Sequence, residues 1–217
     1  MAGGYVKASD LPQVIPVFPL DGALLLPRGA LPLNIFEPRY LNMIDDAMAG
    51  DRIIGMVQPQ SGSRRLPGLS PIGCAGRITS FAETSDGRYL ITLTGVCRFL
   101  LGKELPVKTP YRQVAVDFAA FEEDLRPPPE ETAFSRQRLL RALRSYLDRR
   151  SLDVNWNTAE AAPAEALVNS LAMALPFAPP EKQALLEADS LTEREAALVA
   201  LLEIDAAACD DDDVSLQ

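Results

Sequence analysis

The stretch that decides the fold is LPLNIFEPRYLNMIDDAM, residues 31–48. It opens with an apolar run typical of a β-strand, meets a proline at position 38, and resumes with apolar residues at three- and four-residue spacing. That spacing predicts an amphipathic helix, because residues three and four apart share one helix face. The predicted apolar face carries Tyr40, Leu41, Ile44, Ala47 and Met48.

The charged step between the two apolar segments is Glu37-Pro38-Arg39. Proline suits the first turn of a helix, where its missing N–H costs nothing. A carboxylate at position 37 lies beside the positive end of the helix dipole, which is worth ~0.3–1 kcal/mol. We therefore interpret Glu37-Pro38 as a switch from strand to helix rather than as a catalytic element.

Around this stretch, the first half of the chain has the pattern of a β-region. Val114, Val116 and Phe118 alternate with more polar residues, as in a half-buried strand. Asp86-Gly87 between two alternating runs predicts a hairpin, since glycine accepts the positive φ of a tight turn. Gly73-x-x-Gly76 predicts a bulge or tight bend. The apolar runs are VIPVFPL, ALLLP, LPLNIF, RIIGMVQP, GCAGRITSFAE, RYLITLTGV, CRFLL and YRQVAVDFAAF.

The segment EEDLRPPPEE, residues 122–131, separates this region from a helical second half. Three consecutive prolines fit neither a helix interior nor a strand ladder. Beyond them, residues 139–147 form an apolar stripe, and EALVNSLAMAL, PPEKQALLEA and TEREAALVALLEID predict three further helices. Thr192 and Glu195 have the spacing of a capping box. The acidic end, AAACDDDDVSLQ, predicts a mobile tail.

Composition restricts the function. The net charge is −9 and the estimated pI is 4.6, which disfavours nucleic acid, since that binding rests on lysine and arginine. Three cysteines without a C-x-x-C pair predict free thiols rather than disulfides or a zinc site. No signal peptide or membrane-spanning run is present, so we expect a cytoplasmic protein without a membrane partner.

The residues offer little for catalysis. Histidine is absent, which removes the commonest general base and zinc ligand. The single Gly102-Lys103 pair has cysteine at 97 and glutamate at 104, where a phosphate-binding loop needs glycine and serine or threonine. We therefore expect a binding protein with no catalytic residue, no cofactor and no metal.

Two surface features remain. Six arginines between residues 136 and 150 make one helix basic, and we interpret them as a solvated face paired with nearby acids. The functional alternative is a docking surface for an acidic partner, for which Asp210–Asp213 of the same chain is one candidate. The second feature is the loop Gln58–Pro71, which is long enough to bind a ligand although many such loops only connect.

Together, the stretches IPVFPLDGALLLPRGALPLNIFEPRYLNMIDDAM, RIIGMVQP, IGCAGRITSFAETSDGRYLITLTGVCRF and YRQVAVDF resemble the Lon substrate-binding (Lon N-terminal) domain. The resemblance extends over about residues 14–204 and is closest to stand-alone proteins made of that domain. It implies an α+β fold: a PUA-like, mostly antiparallel β-barrel with one inserted helix, followed by an α-helical bundle. The predicted divisions are a tail (1–13), the barrel (14–125), a connector (126–131), the bundle (132–205) and an acidic mobile tail (206–217).

The resemblance also implies a function. In full-length Lon this region recognises substrates, while separate ATPase and protease domains unfold and cut them. The leading hypothesis is thus a non-catalytic protein that binds unfolded or exposed apolar polypeptide segments for protein quality control, alongside a separate ATPase or protease. The candidate peptide-binding residues are Leu66, Leu69, Phe36, Tyr40, Met43 and Met56. The two loop leucines are expected to be exposed, and the other four to belong to the core.

Three alternatives remain open at this point. The first is an RNA-binding protein, because PUA-like barrels elsewhere bind RNA. The second is an enzyme or small-molecule binder with an unfamiliar site, which an apolar pocket with converging polar groups would favour. The third is a structural adaptor that docks on a separate ATPase.

Overall fold

The computed structural model describes residues 4–60, 67–127, 135–150 and 154–214, with side chains described up to residue 205. The chain divides into two compact units, Met1–Pro128 and Pro129–Gln217. Basic and acidic residues balance in the first unit, so the whole net charge of −9 belongs to the second. The predicted connector overlaps residues 128–134, which lie outside the described residues, and its boundaries stay a prediction.

The first unit is built on six strands and one α-helix. The strands are β1 (Val14–Pro19), β2 (Ala30–Ile35), β3 (Ile53–Val57), β4 (Ile72–Glu83), β5 (Tyr89–Glu104) and β6 (Arg112–Asp117). Helix α1 (Pro38–Ala49) lies between β2 and β3, and short 3-10 helices occupy Ala8–Asp10 and Ala119–Leu125. The strand order is β2-β5-β4-β3-β1-β6, and β5 also pairs with β6.

The sheet is mixed. β1 and β3 run parallel, whereas the other pairings among the described strands are antiparallel. The parallel pair arises because the chain leaves β1, forms β2 and α1, and only then returns as β3, which is the long crossover that parallel strands require. The sheet is therefore mostly antiparallel, as expected, with one parallel pair that makes it mixed, and the barrel itself stays a prediction.

Several sequence predictions for this unit are confirmed. Helix α1 begins at Pro38, and Glu37 occupies its N-cap position without a side-chain capping bond. The hairpin turns at Gly87, whose φ is 79°. The β4–β5 register shifts between Ala75 and Gly76, where the bulge was expected. The inward residues of β6 are fully buried, as their alternation predicted.

Other predictions for this unit are wrong. The run ALLLP does not form a strand: Leu24, Leu25 and Leu26 are all buried, and Arg28 N donates to Gly95 O at 2.8 Å as the segment folds over β5. RYLITLTGV and CRFLL form one continuous strand, β5, since Gly95 lets that covering segment approach without ending the strand. Leu11, which lies in the segment predicted to be a tail, is buried in the core with β1 and β6 residues, and the bounds of that segment stay a prediction.

β2 lies at the end of the strand order. Gly95 N donates to Gly29 O at 2.8 Å, immediately before the first β2–β5 residue pair, Ala30 and Thr94. Because hydrogen-bonded and non-hydrogen-bonded pairs alternate along an antiparallel ladder, the backbone groups of Pro32 point away from β5. No described strand pairs with that outer edge, and proline fits it because it has no N–H to donate.

The second unit is helical. Its elements are α2 (Arg136–Arg150), α3 (Trp156–Ala161), α4 (Ala164–Ala174), α5 (Pro179–Glu187) and α6 (Leu191–Val214). α6 packs against α2, α4 and α5. In the parts of the chain that the structure describes, none of the helices combines the length and apolar content that a membrane span requires.

Three details of the second unit differ from prediction. The α6 cap is formed by Ser190, whose Oγ accepts from Glu193 N at 3.1 Å; the predicted Thr192 and Glu195 box is wrong, as Glu195 instead accepts from Ser135 N. Helix α3 was not predicted. α6 also continues to Val214, through the segment predicted to be a mobile tail, and alanine at 206–208 favours this continuation.

Candidate functional site

A pocket of about 370 Å³ opens in the first unit, and we call it the Tyr40 pocket. Its volume lies near the lower end of ligand-binding pockets, which span ~300–1,000 Å³. Its walls are largely rigid rings with a few polar groups at the rim. The lining residues are Val17, Pro19, Asp21, Arg39, Tyr40, Pro59, Pro67, Pro110, Tyr111 and Arg112.

The strand-to-helix stretch at residues 31–48 supplies one wall of this pocket. The strand-to-helix switch places Arg39 and Tyr40 in the first turn of α1. The Tyr40 ring packs against Phe18 of β1, with 4.2 Å between ring centroids, and Arg39 lies 4.5 Å from the Tyr40 ring centroid. The aromatic body of Tyr40 is thereby fixed by the core while its outer end reaches the pocket.

The base of the long loop supplies a second wall. Gln60 N donates to Gly68 O at 2.8 Å, and Ser70 N donates to Gln58 O at 2.9 Å. These bonds hold Pro59 and Pro67 over the pocket, since each proline lies within the short ladder or beside it. The described ends of the loop are thus ordered by main-chain hydrogen bonds.

The third wall is held by hydrogen bonds of two residues, Arg112 and Tyr111. Arg112 donates from Nε and Nη2 to the Glu104 carboxylate at 2.9 and 2.6 Å, and from Nη1 to Pro67 O at 2.9 Å. The Tyr111 hydroxyl donates to Asp46 Oδ2 at 2.6 Å. Burial, followed by this hydrogen bond, raises the pKa of Tyr111 to about 12, so the hydroxyl keeps its proton at neutral pH.

Two other polar groups of the pocket are not engaged. The Tyr40 hydroxyl makes no hydrogen bond to a described residue, and it is not one of the buried polar atoms without a partner, so it is accessible from the pocket. Burial raises the pKa of Tyr40, which keeps this hydroxyl a donor. At the rim, exposed Asp21 has no ion-pair partner within the described ranges, whereas Arg39 pairs with Glu37 at 2.7 Å. The pocket lining therefore includes one accessible donor, the Tyr40 hydroxyl, and one exposed carboxylate, that of Asp21.

The candidate peptide-binding residues are dispersed. Tyr40, Met43 and Met56 are buried, as expected for the core, so Met43 and Met56 present no binding surface. Phe36, by contrast, is 61% exposed, and the expectation that it belongs to the core is wrong, because it follows the last residue of β2 on the outer side of the sheet. Of these residues, the Tyr40 pocket includes Tyr40.

The two loop leucines have different outcomes. Leu69 is half-buried and packs against the core of the first unit, so the expectation that it would be exposed is wrong. The bridge between Pro59 and Leu69 explains this, as it ties the loop end to the sheet. Leu66 lies outside the described residues.

A second exposed feature surrounds Phe36. Arg88 lies opposite it, with its guanidinium carbon 5.7 Å from the ring centroid. Leu90, on the neighbouring strand β5, is also exposed and points to the same face, since it is two residues from Arg88. This pair of apolar side chains forms a small exposed patch without deep polar groups.

The basic helix α2 behaves as the solvated-face interpretation predicts for the arginines whose contacts are known. Arg138 pairs with Glu203 at 3.4 Å, and Arg150 pairs with Asp205 at 2.5 Å. Arg136 donates to main-chain carbonyls, including that of Ala162 at 2.7 Å. These arginines stabilise the second unit, and the side chains of Asp210–Asp213 lie outside the described ones.

The comparisons with known proteins agree with this architecture. The family model of the ATP-dependent protease La (LON) substrate-binding domain matches residues 14–203. The chain belongs to the Lon substrate-binding domain family. This Lon substrate-binding domain is 32% identical over 124 residues to Lon protease of Desulfosudis oleivorans, and 31% identical over 117 residues to Lon protease 2 of Myxococcus xanthus.

Coverage of these relatives is unequal. The matched segments take up 55% and 52% of this chain but only 15% and 14% of the two proteases. The chain therefore spans a small fraction of the length of the curated Lon proteases that it matches. Their whole-protein activity is not carried by this match.

Two solved structures share the fold. A Lon N-terminal domain protein from Xanthomonas campestris is 24% identical, with a TM-score of 0.61, covering 86% of this chain and 97% of that one. The N-terminal domain of a Mycobacterium avium complex Lon protease is 18% identical, with a TM-score of 0.62, covering 88% and 98%. This Lon substrate-binding domain thus has the Lon N-terminal domain fold, a mixed six-stranded sheet with several helices.

Sequence reasoning missed most of the pocket. No signal in the sequence singled out Pro19, Pro59, Pro67 or Pro110, which line it. Pro19 ends β1, Pro59 and Pro110 lie two residues outside β3 and β6, and Pro67 lies in the loop between β3 and β4. The sequence could not predict that these prolines lie close together, because this depends on the parallel pairing of β3 with β1.

Proposed function

We propose that this chain is a non-catalytic polypeptide-recognition protein that binds unfolded or exposed apolar segments in protein quality control. The observation that carries the proposal is the match of residues 14–203 to the Lon substrate-binding domain. The curated relatives that match this chain are named as Lon proteases. The domain that they share with it is named for substrate binding.

The side-chain chemistry supports a binding role rather than turnover. The chain has no histidine, and the buried thiol of Cys97 is a poor nucleophile. Burial, with a smaller contribution from the Asp124 charge, raises the pKa of Cys97 to about 12, so almost no thiolate forms near neutral pH. Its Sγ contacts Phe121 O at 3.3 Å instead of facing a cavity.

The proposal extends to architecture and setting. The pairing of β5 with both β4 and β6 supports a PUA-like barrel, and the packing of α6 on three other helices supports a helical bundle. We propose that the protein is cytoplasmic and that a separate ATPase or protease acts on the polypeptide that it binds. The net charge of −9 stands against the RNA-binding alternative.

The test is binding of the full chain to an unfolded protein. Fluorescence anisotropy with labelled, reduced and carboxymethylated α-lactalbumin is expected to show saturable binding, and native α-lactalbumin with its disulfides intact is expected to show none. Equal binding of both forms, or of neither, would contradict the proposal. A parallel titration with a single-stranded RNA distinguishes the RNA-binding alternative, which predicts strong, salt-dependent binding.

A further inference from the structure

The Tyr40 hydroxyl is the most informative polar group of the molecule. Most of the Tyr40 side chain is buried, but its hydroxyl is not one of the buried polar atoms that lack a partner, so it is accessible from the pocket that it lines, and no described residue accepts its proton. A tyrosine hydroxyl that is accessible from a pocket can donate a hydrogen bond to a bound ligand. The Tyr40 pocket therefore has room for a ligand atom that accepts this hydrogen bond.

The walls specify the rest of the ligand. Proline and tyrosine rings favour apolar contact, and the volume of about 370 Å³ accommodates one or two side chains rather than a folded surface. An extended peptide satisfies both requirements, because it brings an apolar side chain together with a backbone carbonyl that can accept from the Tyr40 hydroxyl.

The charge around the pocket specifies the neighbour of that side chain. Arg39 and Arg112 are each neutralised by a glutamate, Glu37 and Glu104. Asp21 at the rim is left uncompensated among the described residues. A positively charged side chain next to the apolar one complements this carboxylate, whereas a second carboxylate there would be repelled.

We propose that the Tyr40 pocket binds an apolar side chain of an extended polypeptide that carries a lysine or arginine beside it. The Tyr40 hydroxyl donates to a backbone carbonyl of that segment, and Asp21 pairs with the basic side chain. This inference deepens the proposed function and rests on it, since it names the site and the class of segment that the site prefers.

The experiment uses the full chain and two fluorescein-labelled peptides. In one, a Phe-Leu pair is flanked by lysines; in the other, glutamates replace the lysines. Tyr40→Phe removes only the unpartnered hydroxyl and keeps the ring against Phe18, and Asp21→Asn removes only the rim charge. The matched controls are Tyr89→Phe, whose hydroxyl donates to Asp45, and Glu83→Gln, both outside the pocket lining.

We expect the wild-type chain to bind the lysine peptide about two- to fivefold more tightly than the glutamate peptide, as for one exposed charge pair. Tyr40→Phe weakens both peptides about two- to tenfold, the range of one hydrogen bond. Asp21→Asn weakens the lysine peptide alone, and both controls bind as wild type. Thermal melts accompany each variant, and Asp21→Asn tests the site even where Tyr40→Phe alters folding.

The failures are distinguishable. If the wild-type chain binds unfolded α-lactalbumin but the two pocket variants bind peptides as it does, the pocket assignment is overturned and the proposed function stands. Equal or tighter binding of the glutamate peptide overturns the preference for a basic neighbour. If the wild-type chain binds neither peptide nor unfolded protein, both proposals fall.

Discussion

At the scale of single residues, Tyr40 shows what a sequence pattern can and cannot specify. Its place on the apolar face of α1 followed from helical spacing, because periodicity depends only on neighbours along the chain. The setting of its hydroxyl did not follow, since Pro59, Pro67 and Arg112 come from distant segments. Phe36 makes the same point in reverse, as an aromatic residue that ends exposed beside a buried Ile35.

Tyr111 predicts a pH dependence of stability. Its folded-state pKa of about 12 exceeds the ordinary value of 10.0, so the protonated hydroxyl stabilises the fold fully below pH 10. That contribution is lost as pH rises from 10 to 12, by up to roughly 2–3 kcal/mol for a two-unit shift.

The measurement is urea unfolding of wild type and Tyr111→Phe at a series of pH values. At pH 8 the variant is expected to be less stable by about 1 kcal/mol, the typical worth of one hydrogen bond. Between pH 10 and 12 the difference should shrink and reverse, because only wild type releases this proton. Parallel stability curves would contradict the assignment.

At the scale of elements, the 3-10 helix Ala119–Leu125 is attached to β5 by a buried ion pair. Asp124 accepts from Arg98 Nε at 2.9 Å, Nη2 at 3.0 Å and backbone N at 3.0 Å, and both side chains are less than a tenth exposed. Arg98 lies in a stretch that resembles the family, and Asp124 lies in the segment that separates the two halves of the chain. Their pairing could not be predicted from the sequence, because 26 residues separate them.

Asp124→Ala is expected to destabilise the first unit by about 3–5 kcal/mol, since it leaves a buried guanidinium without its carboxylate. Chemical denaturation followed by circular dichroism measures this loss. Glu123→Ala is the control, because the Glu123–Arg126 pair is mostly exposed and worth at most ~1 kcal/mol. Similar losses for the two variants would contradict the structural role of the buried pair.

Gly95 governs how the segment before β2 covers β5. A Cβ at this position would lie 2.0 Å from Leu26 O, which is main chain and has little freedom to move. Gly95→Ala is therefore expected to cost about 3 kcal/mol, as for an overpacked core site. Gly50→Ala, whose Cβ would lie 3.6 Å from Asp46 O, should change stability by no more than ~0.5 kcal/mol. Equal thermal midpoints for both variants would refute this.

Prediction of elements succeeded where local signals dominate and failed where tertiary contacts decide. Pro38 and Gly87 act through their own backbone geometry, so the start of α1 and the hairpin were predictable. The prediction of a strand at ALLLP was wrong. Its three leucines are all buried because the segment packs over β5, whereas a half-buried strand would bury alternate residues. Helix α3 had a usable signal, since the Asn155 side chain accepts from Thr158 N at 3.1 Å.

At the scale of the whole molecule, the proposed binding site belongs to one of the two units. All the residues lining the Tyr40 pocket belong to Met1–Pro128. The first unit expressed alone is therefore expected to bind the lysine-flanked peptide within about twofold of the full chain, and Pro129–Gln217 alone to bind none. Circular dichroism melts establish first that each piece folds. Binding that requires both units would place the site elsewhere.

The outward-facing proline of β2 has a consequence for the protein in crowded solution. A free strand edge is a template on which further chains can stack into fibres, and each added strand needs a regular series of main-chain donors. Pro32 removes one donor from the middle of a six-residue strand. This missing donor is expected to oppose the addition of a further strand at the outer edge of β2, and so to limit aggregation through that edge.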